Sequence, residues 1–259
     1  MTAFPPRKPQ SSPVTGTRRW LRLTARWLYG IHAWSVFVVL VAAFCVLGPA
    51  TGNSNRARRL AHRVARLICR FAGLPLEVRG IERLPAGAHV LLVNHGSFLD
   101  AIVLIALLPP VPGYTFTTRR EFAAQVLLYP ILRSVRTIIL KRPDDPDHTQ
   151  NVETLTSALQ QGQNLVIFPE GGFVPEPGVR QFHSGAFIAA AGARRPVVVA
   201  GLRGARMALR SGTWLPLRSR IELAIGPVIW PEGGAGPQMQ ALIADARTAM
   251  ASLAGEAAV

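Results

Sequence analysis

The sequence predicts an α/β protein: a mixed, largely parallel β-sheet flanked by helices, with membrane-anchoring helices ahead of it. Three observations carry that expectation. From Gly73 onward, short apolar runs alternate with helical patterns, the signature of strands joined by crossover helices. Ahead of them, residues 27–55 contain no Asp, Glu, Lys or Arg. The 259-residue chain is 49% apolar with a mean hydropathy of +0.25, enough for one large domain with a full core plus an accessory segment. No internal repeat is present.

In chain order, the first 17 residues are rich in Pro, Ser and Thr and read as disordered. The basic tail they begin is taken to end at residue 26. Residues 27–72 are expected to hold a membrane anchor followed by an amphipathic interfacial helix, and residues 73–259 one catalytic domain. The anchor's centre, VFVVLVAAFCVL at 36–47, is unbroken hydrocarbon, and Trp20, Trp27, Tyr29 and Trp34 crowd its start, where amphipathic rings favour the membrane–water boundary. The whole run can span a bilayer, while its short strongly apolar centre also suits a shallow or re-entrant insertion. A cleaved signal peptide has the same outline. Arg56, Arg58, Arg59, Arg63, Arg66 and Arg70 follow at once, and positive charge there opposes translocation, so the segment is read as a retained anchor. Those arginines belong to RARRLAHRVARLICRF, in which Leu60, Val64, Leu67, Ile68 and Phe71 recur at helical spacing and Arg59, Arg63, Arg66 and Arg70 form a stripe. Beside an anchor, such a helix suits an anionic lipid surface.

Strands are expected at residues 76–79, 89–94, 115–118, 137–141, 164–168, 197–202 and 220–225. Helical patterns cover 99–108, 120–135, 148–161, 185–191 and 238–253. The formal charge of +15 comes almost wholly from arginine, since Lys8 and Lys141 are the only lysines. That balance suits an anionic membrane better than nucleic acid, because no zinc-finger, basic-zipper or RNA-binding signature accompanies it. The six histidines are scattered, and none pairs with another His or Cys at ligand spacing, so no metal site is expected. Cys45 and Cys69 lie in unrelated surroundings and fit a reducing compartment.

Chemistry is concentrated at strand ends. LLVNHGSFLD runs from a buried-strand pattern into His95, with Asp100 five positions later. A carboxylate held on one imidazole nitrogen leaves the other free to take a proton, and an unperturbed histidine titrates near ~6.5. A helix-capping Asp beside a structural His fits the same residues. A second strand, NLVIF, runs into Pro169, Glu170, Gly171 and Gly172, a pair of glycines that lets the backbone approach a ligand. Lys141 and Arg142 follow a third strand, and Arg203 and Arg206 lie near a fourth; arginines converging at strand ends suit a phosphate or carboxylate.

Together these blocks resemble those of the membrane glycerolipid acyltransferases, typified by bacterial 1-acylglycerol-3-phosphate acyltransferases. NHGSFLD resembles the N-H-x-S-x-x-D block, and FPEGG with FHSGAF resembles F-P-E-G-T-R and its F-x-x-G-A-F sequel. REFAAQVLLYPILRSVRTIILKR is similar to the middle block and VVVAGLRG to the last, in order from about residue 74 to 230. The resemblance implies the glycerolipid acyltransferase fold and transfer of a fatty acyl group from acyl-CoA or acyl-carrier protein to a lysolipid hydroxyl, with no further cofactor. The first acceptor it implies is 1-acylglycerol-3-phosphate, giving phosphatidic acid in phospholipid biosynthesis at the cytoplasmic face of a bacterial inner membrane. His95 would be the general base and Asp100 its orienting partner. Arg142, Glu170, Gly171 and Gly172 would help bind the acceptor, and Asn94 and Ser97 would support the turn. Where the family has Thr-Arg after E-G, this chain has Gly172-Phe173, losing a hydroxyl and a positive charge; Arg180 would compensate if the Pro-rich loop folds back. A lyso-ornithine lipid or another lysolipid is the alternative acceptor, and a non-catalytic lipid-binding protein the alternative class.

Overall fold

The computed structural model describes residues 16–119, 137–141, 150–232 and 236–259. Two helices lead: α1 (Gly16–Ala50) and α2 (Ser54–Phe71). Because α1 starts at Gly16, residues 16–26 belong to it rather than to a tail ending at residue 26. The stretch RRWLRLTARWL is built from good helix formers and holds neither Gly nor Pro.

The described residues then form a seven-stranded sheet from β1 (Leu76–Arg79), β2 (Val90–Val93), β3 (Tyr114–Arg119), β4 (Ile138–Leu140), β5 (Asn164–Ile167), β6 (Val197–Arg203) and β7 (Ile221–Ile229). The spatial order is β1-β7-β6-β2-β5-β3-β4. Pairings are parallel except β6 with β7, so the expected mixed, largely parallel sheet is what the chain forms. Among the described residues the further α-helices are α3 (Asp100–Leu107), α4 (Gln150–Gln160), α5 (Gly185–Ala193), the single-turn α6 (Ala205–Ala208) and α7 (Pro237–Ala254). The strands agree with their sequence patterns, with β7 running on to Ile229; α6 had no pattern of its own. The helix expected over 120–135, and Arg142, lie outside the described residues.

Side chains alternate across the sheet, as the period of two requires. Leu91 and Val93 join the cluster that includes α1, α2 and α3, while Val90 and Leu92 join that of α4, α5 and α7. All four are fully buried, which is why a strand covered on both faces reads as an unbroken apolar run. On the second face, α7 lies directly on β6. A Cβ at Gly201 would come within 2.4 Å of the backbone of Leu253 and Ala254, so only glycine allows this approach.

The N-terminal helices are less completely covered. α2 buries Ala61, Ala65, Ile68 and Cys69. Its expected apolar face is thus rotated: Leu67 and Phe71 remain exposed, Phe71 at 53%. The small side chains let α2 come close to its neighbours, which Leu67 and Phe71 would prevent. Arg59, Arg63, Arg66 and Arg70 are exposed as expected. α1 buries Ala33, Val41 and Phe44, while Trp27, Ile31, Val39 and Val46 face outward. By length and composition, residues 20–48 can cross a membrane. The 209–220 loop returns to α1, with Leu215 seated over Gly30 and Trp34 Nε1–H donating to the Trp214 carbonyl at 2.7 Å.

Candidate active site

β2, β5 and β6 are parallel neighbours, so the segments that leave their C-terminal ends meet. Open α/β sheets place their reactive groups at this edge. Asn94 fastens the end of β2 to β6: its Nδ2 donates to the Leu202 carbonyl at 3.1 Å, and its Oδ1 accepts from the Leu202 N–H at 2.7 Å. The next residue is His95, and the chain turns into α3, whose first residue is Asp100.

Asp100 Oδ2 lies 2.8 Å from His95 Nδ1 and also accepts the N–H groups of Gly96 (2.7 Å) and Ser97 (2.9 Å). One carboxylate oxygen thus closes the 95–100 turn and holds the ring, whereas the expected helix-capping role is not what Asp100 has: the N-cap of α3 is Leu99, and no side chain caps it. A carboxylate accepts, so Nδ1 carries the proton and Nε2 keeps its lone pair. Among the described residues Nε2 has no hydrogen-bond partner. Asp100 is 1% exposed and the His95 side chain 19%, a buried carboxylate behind a reachable imidazole. Ser97 is fully buried, and its hydroxyl donates to the Leu209 carbonyl at 2.8 Å. It supports the turn as expected, and its proton is committed away from the imidazole.

The 168–180 loop covers the histidine. The Phe168 ring stacks on the imidazole at 4.1 Å and 16°, and Phe173 meets it edge-on at 4.4 Å and 62°. Phe98 in turn packs edge-on against Phe173 at 4.8 Å. Sequence reasoning overlooked Phe98, Phe168 and Phe173 as ring-holding groups, although each lies within or beside a motif. Gly171 takes φ +71°, a left-handed turn that suits glycine. Glu170 is buried, with Oε1 accepting from the His95 N–H and Oε2 from the Arg180 N–H, both at 2.9 Å. Burial pushes its carboxyl above the ordinary range, against the opposing pull of these N–H groups and of Arg180.

The arginines divide differently from the sequence expectation. Arg180 does fold back, but its guanidinium donates to the carbonyls of Gly172 and Glu170. Arg203 donates to the Leu253 and Ser252 carbonyls at the end of α7. Arg206 meets a carboxylate within the chain, pairing in fork fashion with Glu256 at 3.0 and 3.1 Å and donating to the Val174 and Glu176 carbonyls. Lys141 is tied to α4 through Asn151 and Gln150. Arg142 lies outside the described residues.

The acyltransferase family model matches residues 75–203. A probable 1-acyl-sn-glycerol-3-phosphate acyltransferase of Mycoplasma pneumoniae is 27% identical over 140 residues, 53% of this chain and 52% of its own. A lyso-ornithine lipid O-acyltransferase of Pseudomonas aeruginosa is 32% identical over 112 residues, 43% of this chain and 42% of its own. The chain thus spans about half the length of these curated relatives. The 1-acyl-sn-glycerophosphate (LPA) acyltransferase PlsC of Thermotoga maritima superposes with a TM-score of 0.70 at 16% identity, covering 87% of this chain and 94% of that one. At that identity the likeness speaks for the fold.

Proposed function

Residues 75–203 make this chain a member of the acyltransferase family, and on that premise we propose that it transfers a fatty acyl group from acyl-CoA or acyl-carrier protein to a lysolipid hydroxyl. The first acceptor is 1-acylglycerol-3-phosphate, giving phosphatidic acid, as the names of several relatives suggest. The observation that carries the reading is the 2.8 Å contact between His95 Nδ1 and Asp100, with Nε2 left open at the sheet edge.

In the proposed reaction His95 Nε2 takes the proton of the acceptor hydroxyl as its oxygen bonds to the thioester carbonyl carbon. Asp100 stabilises the imidazolium that results. The tetrahedral intermediate collapses by breaking the C–S bond, and the departing thiolate takes the proton back from Nε2. No acyl-enzyme is formed, and Ser97 remains a turn residue. Arg142, the Gly171–Gly172 backbone and Arg180 would line the acceptor side, Arg142 through a phosphate.

A lyso-ornithine lipid is the second reading. It is favoured by Phe173, whose ring occupies the imidazole's edge where the family carries a positive charge, and by the relative of that name. The exposed apolar face of α1 and the arginine stripe of α2 support a membrane location, which we place at the cytoplasmic face of a bacterial inner membrane. The test supplies detergent-solubilised protein with acyl-CoA and a panel of lysolipids, following thiol release and product mass. Acylation of 1-acylglycerol-3-phosphate that disappears in His95→Ala is the expected result. A wild type that acylates no lysolipid in the panel, or an active His95→Ala protein, would sink the reading.

A further inference from the structure

Glu170 sits inside the proposed acceptor side, yet its geometry leaves a ligand no access. Its side chain is only 2% exposed. Each carboxylate oxygen already accepts a backbone N–H, and the two donors belong to different segments: His95 in the catalytic turn and Arg180 at the far end of the covering loop. A buried carboxylate is costly unless such donors compensate it. Both hydrogen-bond donors are main-chain groups, with the Arg180 guanidinium a looser ion-pair partner at 3.9 Å, so the carboxylate chiefly fixes the backbone.

The consequences reach the imidazole from both directions. Holding the His95 N–H sets the backbone from which the ring projects toward Asp100. Holding the Arg180 N–H closes the loop that carries Phe173, whose ring centre lies 4.4 Å from that of the imidazole. The Arg180 guanidinium completes the closure by donating to the Gly172 carbonyl, beside Phe173. Phe168, immediately before the Pro169–Glu170 corner, stacks on the imidazole. One carboxylate thus ties together the two segments that orient the imidazole.

We infer that Glu170 is a positioning residue that joins the catalytic turn to the covering loop, and not a ligand of the acceptor lipid. This rests on His95 being the base, and it alters the role that the family resemblance implied for Glu170. The carboxylate's contribution belongs to the rate of the bound complex, because it sets base geometry in every liganded state.

Two measurements on the full chain in detergent test it. The first is independent of activity: amide hydrogen exchange read by mass spectrometry on peptides containing His95 and Arg180. In Glu170→Gln the amide keeps one acceptor oxygen and turns a donor toward the other N–H, and in Glu170→Ala both acceptors are gone. Exchange at the two positions should quicken at least about tenfold in the alanine variant and less in the glutamine variant, while β2 and α4 peptides stay protected and so report an intact fold. Unchanged exchange at both positions overturns the inference. The second is a kinetic split on whichever lysolipid the wild type acylates. The expected result is kcat falling in the order wild type, glutamine, alanine, with the acceptor KM within about twofold. A tenfold rise in acceptor KM at unchanged kcat would make Glu170 an acceptor ligand. A wild type inactive on every lysolipid would refute the proposed function, and the exchange result would still decide whether Glu170 joins the two segments.

Discussion

His89 and His95 flank one strand, and they differ in almost everything that decides what a histidine can do. His89, before β2, is 2% exposed. Its Nδ1 lies 2.8 Å from the Gly87 carbonyl, which can only accept, so Nδ1–H donates and Nε2 accepts from the Tyr114 hydroxyl at 2.9 Å. Both nitrogens are consumed by neutral partners, and burial pushes its pKa below the usual range. His95, at the edge where parallel strands end, has a carboxylate on one nitrogen and an accessible lone pair on the other. The difference teaches that a strand-flanking histidine is left able to accept a proton by its place on the sheet and the charge of its partner.

The largest effect that would break this contrast is on rate. His95→Ala is expected to lower kcat/KM about 10²–10⁴-fold with little change in melting temperature, whereas His89→Gln should keep activity within about twofold. Comparable losses in both would show that the contrast is false. Asp100→Asn comes next, with a loss of about 10²-fold or more as the amide ceases to favour the productive tautomer; steady-state assays that found it near wild type would remove Asp100 as orienter. His89→Gln should instead cost about 1–3 kcal/mol of stability, read from denaturation in detergent.

A smaller effect is one of pH. The folded pKa of His89 is depressed, so its contribution to stability is present above its ordinary value near 6.5 and is lost as pH falls through the depressed one. Melting temperatures from pH 7 to 5 should therefore fall more steeply in wild type than in His89→Gln, and parallel curves would contradict the assignment. The smallest expected change is at the rim. Phe98→Leu removes an edge contact to Phe173 worth about 1 kcal/mol and should lower kcat severalfold at most.

The sheet was legible because parallel strands buried on both faces are written as continuous Val, Leu and Ile runs. His95 and Asp100 were legible because the turn needs them close in sequence. What the sequence hid involves partners distant along the chain. That β7 runs against β6 depends on the return of the 209–220 loop. That Arg206 serves Glu256 depends on where α7 ends. The rotation of α2 escaped for another reason: periodicity finds an apolar stripe but cannot tell which side a close neighbour takes, and Ala61 and Ala65 were the side that fitted.

Gly201 has a consequence for how this chain tolerates change. It faces the end of α7 and touches no reacting atom, yet the last residues of that helix are where Arg203 and, just beyond, Arg206 find their acceptors. Arg206 in turn packs against Gly96 in the 95–100 turn, with its guanidinium 3.2 Å from where a Cβ would stand. A single methyl group at position 201 would displace the helix end and, through two arginines, unsettle the turn on the opposite side of β6. A survey of random variants should therefore find inactivating substitutions on the back of the sheet as well as around His95.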